Sequence, residues 1–275
     1  MSMPSPIIFT AGAFSLRWYG VFAALACLTF YLLMAVRCRR IRISVSQIAD
    51  LMLLIIISGL AGARLEFVRR FWSDYFADDL LGIFRVWEGG LVFQGGFIMA
   101  AIACIIYCVV KKFPIGEVAD LVALALPAAH AVARIGCFLN GCCFGRPCRP
   151  GFGVVYGVPE SGVIHIQRMQ GLIAPTATAP LPVVPVQLLE SLWCAMLALL
   201  IFWMERRRIL DHRRFFVYVL LYSVGRFALE FLRGDYCPPP SGLTPAQSTT
   251  LFVVLPAVIV AMAVTSARKI PCYHR

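Results

Sequence analysis

The chain has 275 residues, of which 60% are hydrophobic and only 14% are charged. These fractions, with a mean hydropathy of +0.82, lie outside the averages of soluble globular proteins and exclude that class. The formal net charge of +11 suggests nucleic-acid binding as a hypothesis. No basic patch is interleaved with aromatic residues, however, so we expect no nucleic-acid partner.

Residues 1–18 lack a basic segment of the kind that opens a signal peptide, and no A-x-A cleavage site follows the first apolar run. We therefore expect that run to be retained in the membrane. Seven apolar segments approach the roughly 20 residues that a helix needs to cross a bilayer. The predicted spans are 18–36, 48–68, 91–110, 118–135, 186–204, 215–232 and 250–267.

Four short segments hold more than half of the 25 Lys and Arg residues: 37–47, 111–117, 205–214 and 268–275. The positive-inside rule places these segments in the cytoplasm, with the N-terminus outside and the C-terminus inside. The prediction is thus an all-α polytopic membrane protein with seven transmembrane helices. We treat residues 1–275 as one transmembrane domain.

The long connections 69–90, 136–185 and 233–249 then lie on the outer, periplasmic side. The largest of them, an insertion at about 136–185, contains FGVVYGVP and APLPVVPVQ, which predict short extended pieces and turns.

Arginines occur where charge is costly. Arg64, Arg134 and Arg226 fall within spans, near their outer ends. Inserting an arginine at the centre of a membrane helix costs about 2.5 to 3.5 kcal/mol, so each of them needs a partner or a function. Arg17 and Arg233 stand at the same boundary. Any one of these side chains could reach the headgroups by snorkelling. Five together predict a phosphate-binding pocket open to the outer leaflet, since guanidinium offers a fixed fork of donors.

Two features have local explanations as well as functional ones. Glu230 follows Arg226 at i+4 and could neutralise it within one helix. The pairs Gly89-Gly90 and Gly95-Gly96 would suit either a site at the mouth of the third span or close helix packing.

Several motifs in order carry a more specific resemblance. They are LRWYG at 16–20, GLAGARLEFV at 59–68, FRVWEGGLVFQGG at 84–96, VADLVALALPAAHAVARIGCFLNGCCFG at 118–145, PVQLLE at 185–190, GRFALEFLR at 225–233 and GLTPAQ at 242–247. The chain resembles the prolipoprotein diacylglyceryl transferase family of bacterial inner-membrane enzymes. The resemblance covers most of the chain.

The resemblance implies transfer of a diacylglyceryl group from phosphatidylglycerol to the thiol of a lipobox cysteine in a secreted precursor, with release of glycerol phosphate. It implies phosphatidylglycerol, prolipoproteins and membrane lipids as partners, a multi-pass location in the bacterial inner membrane, and neither cofactor nor metal.

The resemblance also assigns site residues. Arg134 is the signature arginine, Asn140 a signature asparagine, and Arg226 the C-terminal arginine, with Arg233 as the other choice. Arg134 and Arg226 would hold the phosphate. The remaining lipid-binding positions are Tyr19, Gly95, Gly96, Gly136, Gly141 and Gly145.

The chain departs from the family pattern at polar positions. FHGG becomes FQGG, so Gln94 replaces a histidine, and a glutamine cannot take a proton. GNFxNGE becomes GCFLNGC, which introduces Cys137 and Cys142. HPxQLYE becomes VPVQLLE, which introduces Val184 and Leu189.

Two accounts of these changes stay open. In one, the arginine field lowers the pKa of the acceptor thiol and activity persists. His130, four residues before Arg134, would be a replacement base or simply a hydrogen-bonded core residue. In the other, the fold serves a different acceptor, or it is a non-catalytic lipid-binding or membrane thiol-redox protein.

The run Cys137, Cys142, Cys143 and Cys148 reads C-x4-C-C-x4-C, which is not a zinc spacing. On the oxidising side of a membrane we expect one or two disulfides. The alternatives are a thiol-exchange function or a cysteine that carries the lipid as nucleophile.

Overall fold

The structure, a computed structural model, describes residues 5–11, 14–77, 79–149, 151–157, 162–236 and 242–267. It is mostly helical, and five of its helices are long and apolar enough to cross a membrane: Trp18–Ile41, Val45–Arg70, Phe93–Val110, Ile115–Asn140 and Val186–Arg207. The chain is therefore an all-α polytopic membrane protein.

Each predicted span coincides with a helix. The long helices are α1 (Trp18–Arg37), α2 (Val45–Arg70), α3 (Phe93–Val110), α4 (Ile115–Asn140), α6 (Val186–Arg207) and α7 (Arg214–Glu230). The last predicted span lies in a continuous helical stretch made of α8 (Pro245–Thr249), a π-helical turn (Thr250–Val254) and α9 (Leu255–Ala267). A short helix, α5 (Val163–Met169), was not predicted.

Smaller elements connect these helices. A hairpin of β1 (Ile7–Ala11) and β2 (Phe14–Arg17) precedes α1. A π-helical turn (Trp72–Phe76) and 3-10 turns (Cys38–Ile41, Leu80–Phe84, Val86–Glu88) lie between α1 and α3. The predicted extended pieces of the insertion are confirmed, because Val154 bridges Val183 in antiparallel fashion.

One boundary differs from the prediction. α4 continues to Asn140, so Gly136, Cys137 and Asn140 lie in its last turns rather than in the loop that was predicted to begin at 136. Hydropathy places the end of the helix where the run of apolar residues ends. The helical hydrogen bonds, however, continue until Gly141, whose left-handed backbone conformation stops the helix.

The chain divides into two compact units, residues 31–121 and residues 1–30 with 122–275. In the 31–121 unit, α2 and α3 pack with almost no space between their backbones. A Cβ on Gly62 would lie 2.5 Å from the Gly95 carbonyl oxygen, and one on Gly96 would lie 2.8 Å from that of Gly59. Gly95 and Gly96 therefore serve helix packing.

In the other unit, α4, α6 and α7 share a core that includes Ala123, Leu197, Ile201 and Tyr218. A second core lies under the insertion and contains Phe144, Val154, Tyr156, Val163 and Val183. Phe138 and Leu139 pack against this second core, which therefore fixes the end of α4 against the insertion.

Candidate active site

The C-terminal end of α4 turns sharply onto itself. Gly141 has a φ of 70°, and its N–H donates to the Phe138 carbonyl oxygen at 3.3 Å. The Cys142 N–H donates to the Cys137 carbonyl oxygen at 3.2 Å. These two bonds form a Schellman motif, in which glycine supplies the left-handed residue. The motif brings residue 142 back beside residue 137.

The loop after α4 joins the segments that precede α6 and follow α7. The Gly145 N–H donates to the Val184 carbonyl oxygen at 2.9 Å, and the Arg146 N–H donates to that of Leu232 at 2.8 Å. A Cβ on Gly145 would lie 2.6 Å from the Val184 carbonyl oxygen, so a larger residue would push these two backbone segments apart. Three motif segments far apart in sequence thus meet here.

Arg134 is held by two neighbours near this end of α4. Its Nη2 lies 2.9 Å from Oε1 of Glu190 on α6, and its Nε donates to Nε2 of His130 at 3.1 Å. The Glu190 side chain is 1% exposed and that of Arg134 15%. The pair is therefore buried, as a charge in the hydrocarbon region requires.

His130 uses its Nε2 lone pair to accept from Arg134. That lone pair is the one that a general base needs. The Tyr222 ring packs beside the imidazole at 5.3 Å between centroids, and the Tyr222 hydroxyl donates to Glu190 at 3.4 Å. These contacts match the hydrogen-bonded core alternative for His130.

The two C-terminal arginines also have carboxylate partners. Arg226 pairs with Glu230, as the i+4 spacing predicted. Glu230 in turn accepts from the Tyr236 hydroxyl and the Thr244 Oγ1, both at 2.8 Å. Arg233 forms a bidentate pair with Asp235, with bonds of 2.9 and 2.6 Å.

Arg134 and Arg226 interact with the same side chains. His130 and Tyr222 both interact electrostatically with the two guanidinium groups. Tyr19 interacts with Arg134 and with the cysteines that follow it. Gly136 lies against α1, where a Cβ would come within 2.6 Å of the Phe22 Cβ. The structure therefore brings Tyr19, Arg134 and Arg226 into one region.

Unsatisfied acceptors lie close to the end of α4. The side-chain oxygens Oδ1 of Asn140 and Oε1 of Gln187 are buried and have no hydrogen-bond partner within the described part of the chain. Gln187 donates from Nε2 to the Cys142 carbonyl oxygen at 2.8 Å. A buried acceptor without a donor costs free energy. These oxygens are therefore suited to accept hydrogen bonds from the hydroxyl groups of a ligand.

The cysteine run separates into a cluster of three and a single residue. The Sγ atoms of Cys137, Cys142 and Cys143 lie within 4.8 Å of one another. Cys148 instead contacts the Pro182 carbonyl oxygen. All four are free thiols, so the disulfides predicted from the outer location are not formed in this structure.

The thiols of the cluster are not equivalent. Hydrogen bonds from Cys137 and Cys142 hold the pKa of the Cys143 thiol well below its usual range, and Arg233 and Arg134 add to this effect. The hydrogen bonds that Cys142 makes with Cys137 and Cys143, together with burial, raise the pKa of the Cys142 thiol. These directions make Cys143 the most acidic thiol of the cluster.

Arg64, in the 31–121 unit, has a different environment from the other arginines. Its guanidinium donates to the carbonyl oxygens of Ile83, Gly89, Gly90, Gly82 and Arg85. It is 8% exposed, and its donors are used to fold the connection between α2 and α3. The expectation that Arg64 helps to bind phosphate is therefore wrong.

Gln94 lies in the same unit as Arg64. Its Oε1 accepts from Nη2 of Arg70 at 2.7 Å, and Arg70 also pairs with Glu66 at 2.7 Å. The position where the family pattern has a histidine is thus held by a neutral amide bonded to a cation.

A family model described as prolipoprotein diacylglyceryl transferase matches residues 6–263. The chain belongs to the prolipoprotein diacylglyceryl transferase family. The resemblance drawn from the motifs is thereby confirmed.

Curated members of this transferase family align along most of the chain. A phosphatidylglycerol–prolipoprotein diacylglyceryl transferase of Clostridium tetani is 29% identical over 94% of this chain and 96% of its own length. The transferase of Trichormus variabilis is 30% identical over 84% of this chain and 80% of its own length. That of Staphylococcus epidermidis is 28% identical over 92% of this chain and 87% of its own length.

Sequence reasoning missed part of the site. Glu190 ends the PVQLLE motif, but its pairing with Arg134 was not predicted, although an acid within an apolar span signals a partner. Gln187, Tyr222 and Asp235 gave no signal of their own, because their roles depend on contacts between distant segments. Tyr156 was missed for the same reason. Its hydroxyl donates to the Phe138 carbonyl oxygen at 2.9 Å.

Proposed function

We propose that this chain transfers a diacylglyceryl group from phosphatidylglycerol to the thiol of a lipobox cysteine in a prolipoprotein. Family membership supports the reaction class. The single observation that carries the proposal is the buried guanidinium of Arg134, which Glu190 and His130 fix in the unit that also contains Arg226 and Arg233. The enzyme would act in a bacterial inner membrane as a multi-pass protein of seven spans.

In this reaction the acceptor sulfur attacks a glyceryl carbon of the lipid. A carbon–sulfur bond forms, and the bond between that carbon and a phosphodiester oxygen breaks with its electron pair on the oxygen. The phosphodiester becomes a monoester, which gains a second ionisation near pH 6. The released glycerol phosphate can therefore carry away the proton of the thiol, and the reaction balances without a cofactor.

We assign Arg134 and Arg226 to the phosphate. Negative charge grows on the leaving oxygen in the transition state, and preorganised donors in a low-dielectric site stabilise it most. Described residues accept from Nε and Nη2 of Arg134, which leaves Nη1 for the lipid. Glu190 and His130 act as positioning residues because they hold the fork in one orientation.

Asn140 and Gln187 would bind the polyol part of the headgroup. Their buried acceptor oxygens lack donors among the described residues, and the headgroup of phosphatidylglycerol offers hydroxyl donors. Tyr19 and Arg233 would border the lipid. Gly136, Gly141 and Gly145 contribute through close packing and the Schellman turn rather than through contact with substrate.

The acceptor thiol must lose its proton without the family histidine. Gln94 cannot accept one, and the Nε2 of His130 is engaged by Arg134. We infer that the positive field of the arginines stabilises the acceptor thiolate, as cations lower thiol pKa values elsewhere.

The test uses the full chain in vesicles that contain phosphatidylglycerol, with a lipobox peptide as acceptor and product mass as the readout. Arg134→Ala should lower the initial rate by about 10²- to 10³-fold, the usual effect of removing one transition-state donor. Arg134→Lys should restore little, because an ammonium lacks the fork.

Arg206→Ala is the matched control. Arg206 lies in the last turn of α6, about 24 Å along that helix from Glu190, and its removal should leave the rate within twofold. Absence of thioether product from the unaltered chain, while a known transferase is active in the same vesicles, would contradict the proposal. Equal rates for Arg134→Ala and the unaltered chain would contradict the assignment of Arg134.

A further inference from the structure

The three-cysteine cluster is not used by the transfer reaction. Its Sγ atoms lie within 4.8 Å of one another, although the sequence spacing did not resemble a metal motif. The Schellman motif explains the difference, because its bond from the Cys142 N–H to the Cys137 carbonyl oxygen returns the chain to the last turn of α4. Cys143, at a φ of 60°, then continues the turn.

The sulfur separations suit a common ligand. With zinc–sulfur bonds of about 2.3 Å, sulfurs on one ion lie about 3.8 Å apart in a tetrahedron and about 4.0 Å in a trigonal plane. Closing distances of up to 4.8 Å to this range requires shifts of about 1 Å or less, which rotation of side chains near a loop can supply.

The surroundings fit a thiolate-bound cation. Three thiolates and a divalent ion carry a net charge of −1, and both Arg134 and Arg233 interact electrostatically with Cys143. The negative end of the α4 dipole lies at the same place and favours a cation. Gln187 donates to the Cys142 carbonyl oxygen and holds that ligand in position, as outer partners do in metal sites.

The site is enclosed on one side and open on another. Cys137 is 8% exposed, whereas Cys142 and Cys143 are partly exposed. An ion could enter there and keep one position for water or another ligand, as three-ligand zinc sites do.

We propose that Cys137, Cys142 and Cys143 form a three-thiolate site for a thiophilic metal ion, Zn²⁺ or Cu⁺, at the C-terminal end of α4. Binding exchanges the thiol protons for the metal, without any redox change. This site goes beyond the transfer reaction, and its test does not depend on transfer activity.

The test titrates the full chain, purified in detergent under reducing conditions and freed of metal with a chelator. Co²⁺, as the spectroscopic probe for Zn²⁺, should bind at one equivalent, produce a thiolate-to-metal charge-transfer band and be displaced by Zn²⁺. A parallel titration with Cu⁺ against a competing chelator distinguishes the two ions. Metal binding should also release protons, which a pH-stat records.

Variants assign the ligands. Cys142→Ser and Cys143→Ser should each weaken binding at least tenfold, whereas Cys148→Ser, which alters the fourth cysteine of the run but not the cluster, should bind as the unaltered chain does. An unchanged thermal unfolding midpoint of the metal-free Cys143→Ser protein would show that it folds.

Three results would overturn the proposal. They are the absence of a charge-transfer band together with no Cu⁺ uptake, binding that is unchanged in both Cys142→Ser and Cys143→Ser, and a disulfide within the cluster when alkylated native membranes are analysed by mass spectrometry.

Discussion

At the scale of single residues, the buried arginines have two kinds of hydrogen-bond partner. Arg64 donates to backbone carbonyl oxygens, whereas Arg134 faces the carboxylate of Glu190. A guanidinium bound only to carbonyls keeps its positive charge in place to organise a loop. One that faces a carboxylate is oriented but retains donors for a further anion. The two environments distinguish Arg64, whose donors organise a loop, from Arg134, to which we assign the phosphate.

Glu190→Gln tests the buried pair. The substitution keeps the shape but removes the charge that compensates Arg134, and breaking a buried pair costs about 3 to 5 kcal/mol. We expect a lower thermal unfolding midpoint in detergent and a slower transfer reaction.

Asp211→Asn is the control for this prediction, because Asp211 pairs with Arg214 at 2.8 Å with its side chain 44% exposed. Exposed pairs contribute about 0 to 1 kcal/mol. Equal midpoints for the two variants would contradict the importance of the Glu190 pair.

The cysteine cluster predicts a pH dependence. The lowered pKa of Cys143 means that its thiolate persists as pH falls below the usual thiol value of about 8.5. In metal-free protein, iodoacetamide should therefore alkylate Cys143 at pH 6 to 7 while Cys142, with its raised pKa, stays unmodified. Site-resolved mass spectrometry measures both rates in one sample, and faster modification of Cys142 would refute the assignment.

At the scale of elements, glycines decide how close two helices come. In the 31–121 unit, glycines on α2 face glycines on α3, so that backbone meets backbone. In lipid there is little hydrophobic drive between helices, and close van der Waals contact takes its place. The FQGG motif therefore has a packing reason for its glycines, independent of any catalytic role at Gln94.

Gly62→Ala tests this packing. The added Cβ would lie 2.5 Å from the Gly95 carbonyl oxygen and the Met99 Cβ, so the helices must separate, and overpacking of this kind costs about 1 to 3 kcal/mol. We expect a lower unfolding midpoint in detergent.

Gly20→Ala is the matched control. A Cβ on Gly20 has nothing within 4 Å, and alanine favours a helix over glycine by about 0.5 to 1 kcal/mol. The Gly20 variant should therefore be at least as stable as the unaltered chain. A Gly62 variant of unchanged stability would show that α2 and α3 are not as tightly packed as described.

At the scale of the whole molecule, the basic segments predict a seven-span topology with the N-terminus outside. Reporter fusions can test it. Alkaline phosphatase should be active when joined after Thr176 and inactive after Lys112 or Arg208, because the enzyme folds only outside the cytoplasm. A green fluorescent protein joined at the same points should give the reverse pattern, and an active phosphatase after Lys112 would overturn the orientation.

Much of the fold could be predicted from the sequence because membrane helices are specified locally. Each of the seven apolar segments is helical, since a bilayer requires every backbone group to be bonded within its own segment. The seven-span count and the orientation remain predictions, as does the treatment of the chain as one domain. The hairpin before α1 and the helix α5 were not foreseen, because neither has the length or the periodicity of a span.

The sequence by itself determined the class, the helices and the family, because hydropathy, charge bias and motif order are all properties of neighbouring residues. Only the tertiary structure decided that Arg134 pairs with Glu190, that Arg64 serves a loop, and that three cysteines meet at the end of α4. Those outcomes depend on where a left-handed glycine turns the chain and on which distant segments then come within hydrogen-bond distance.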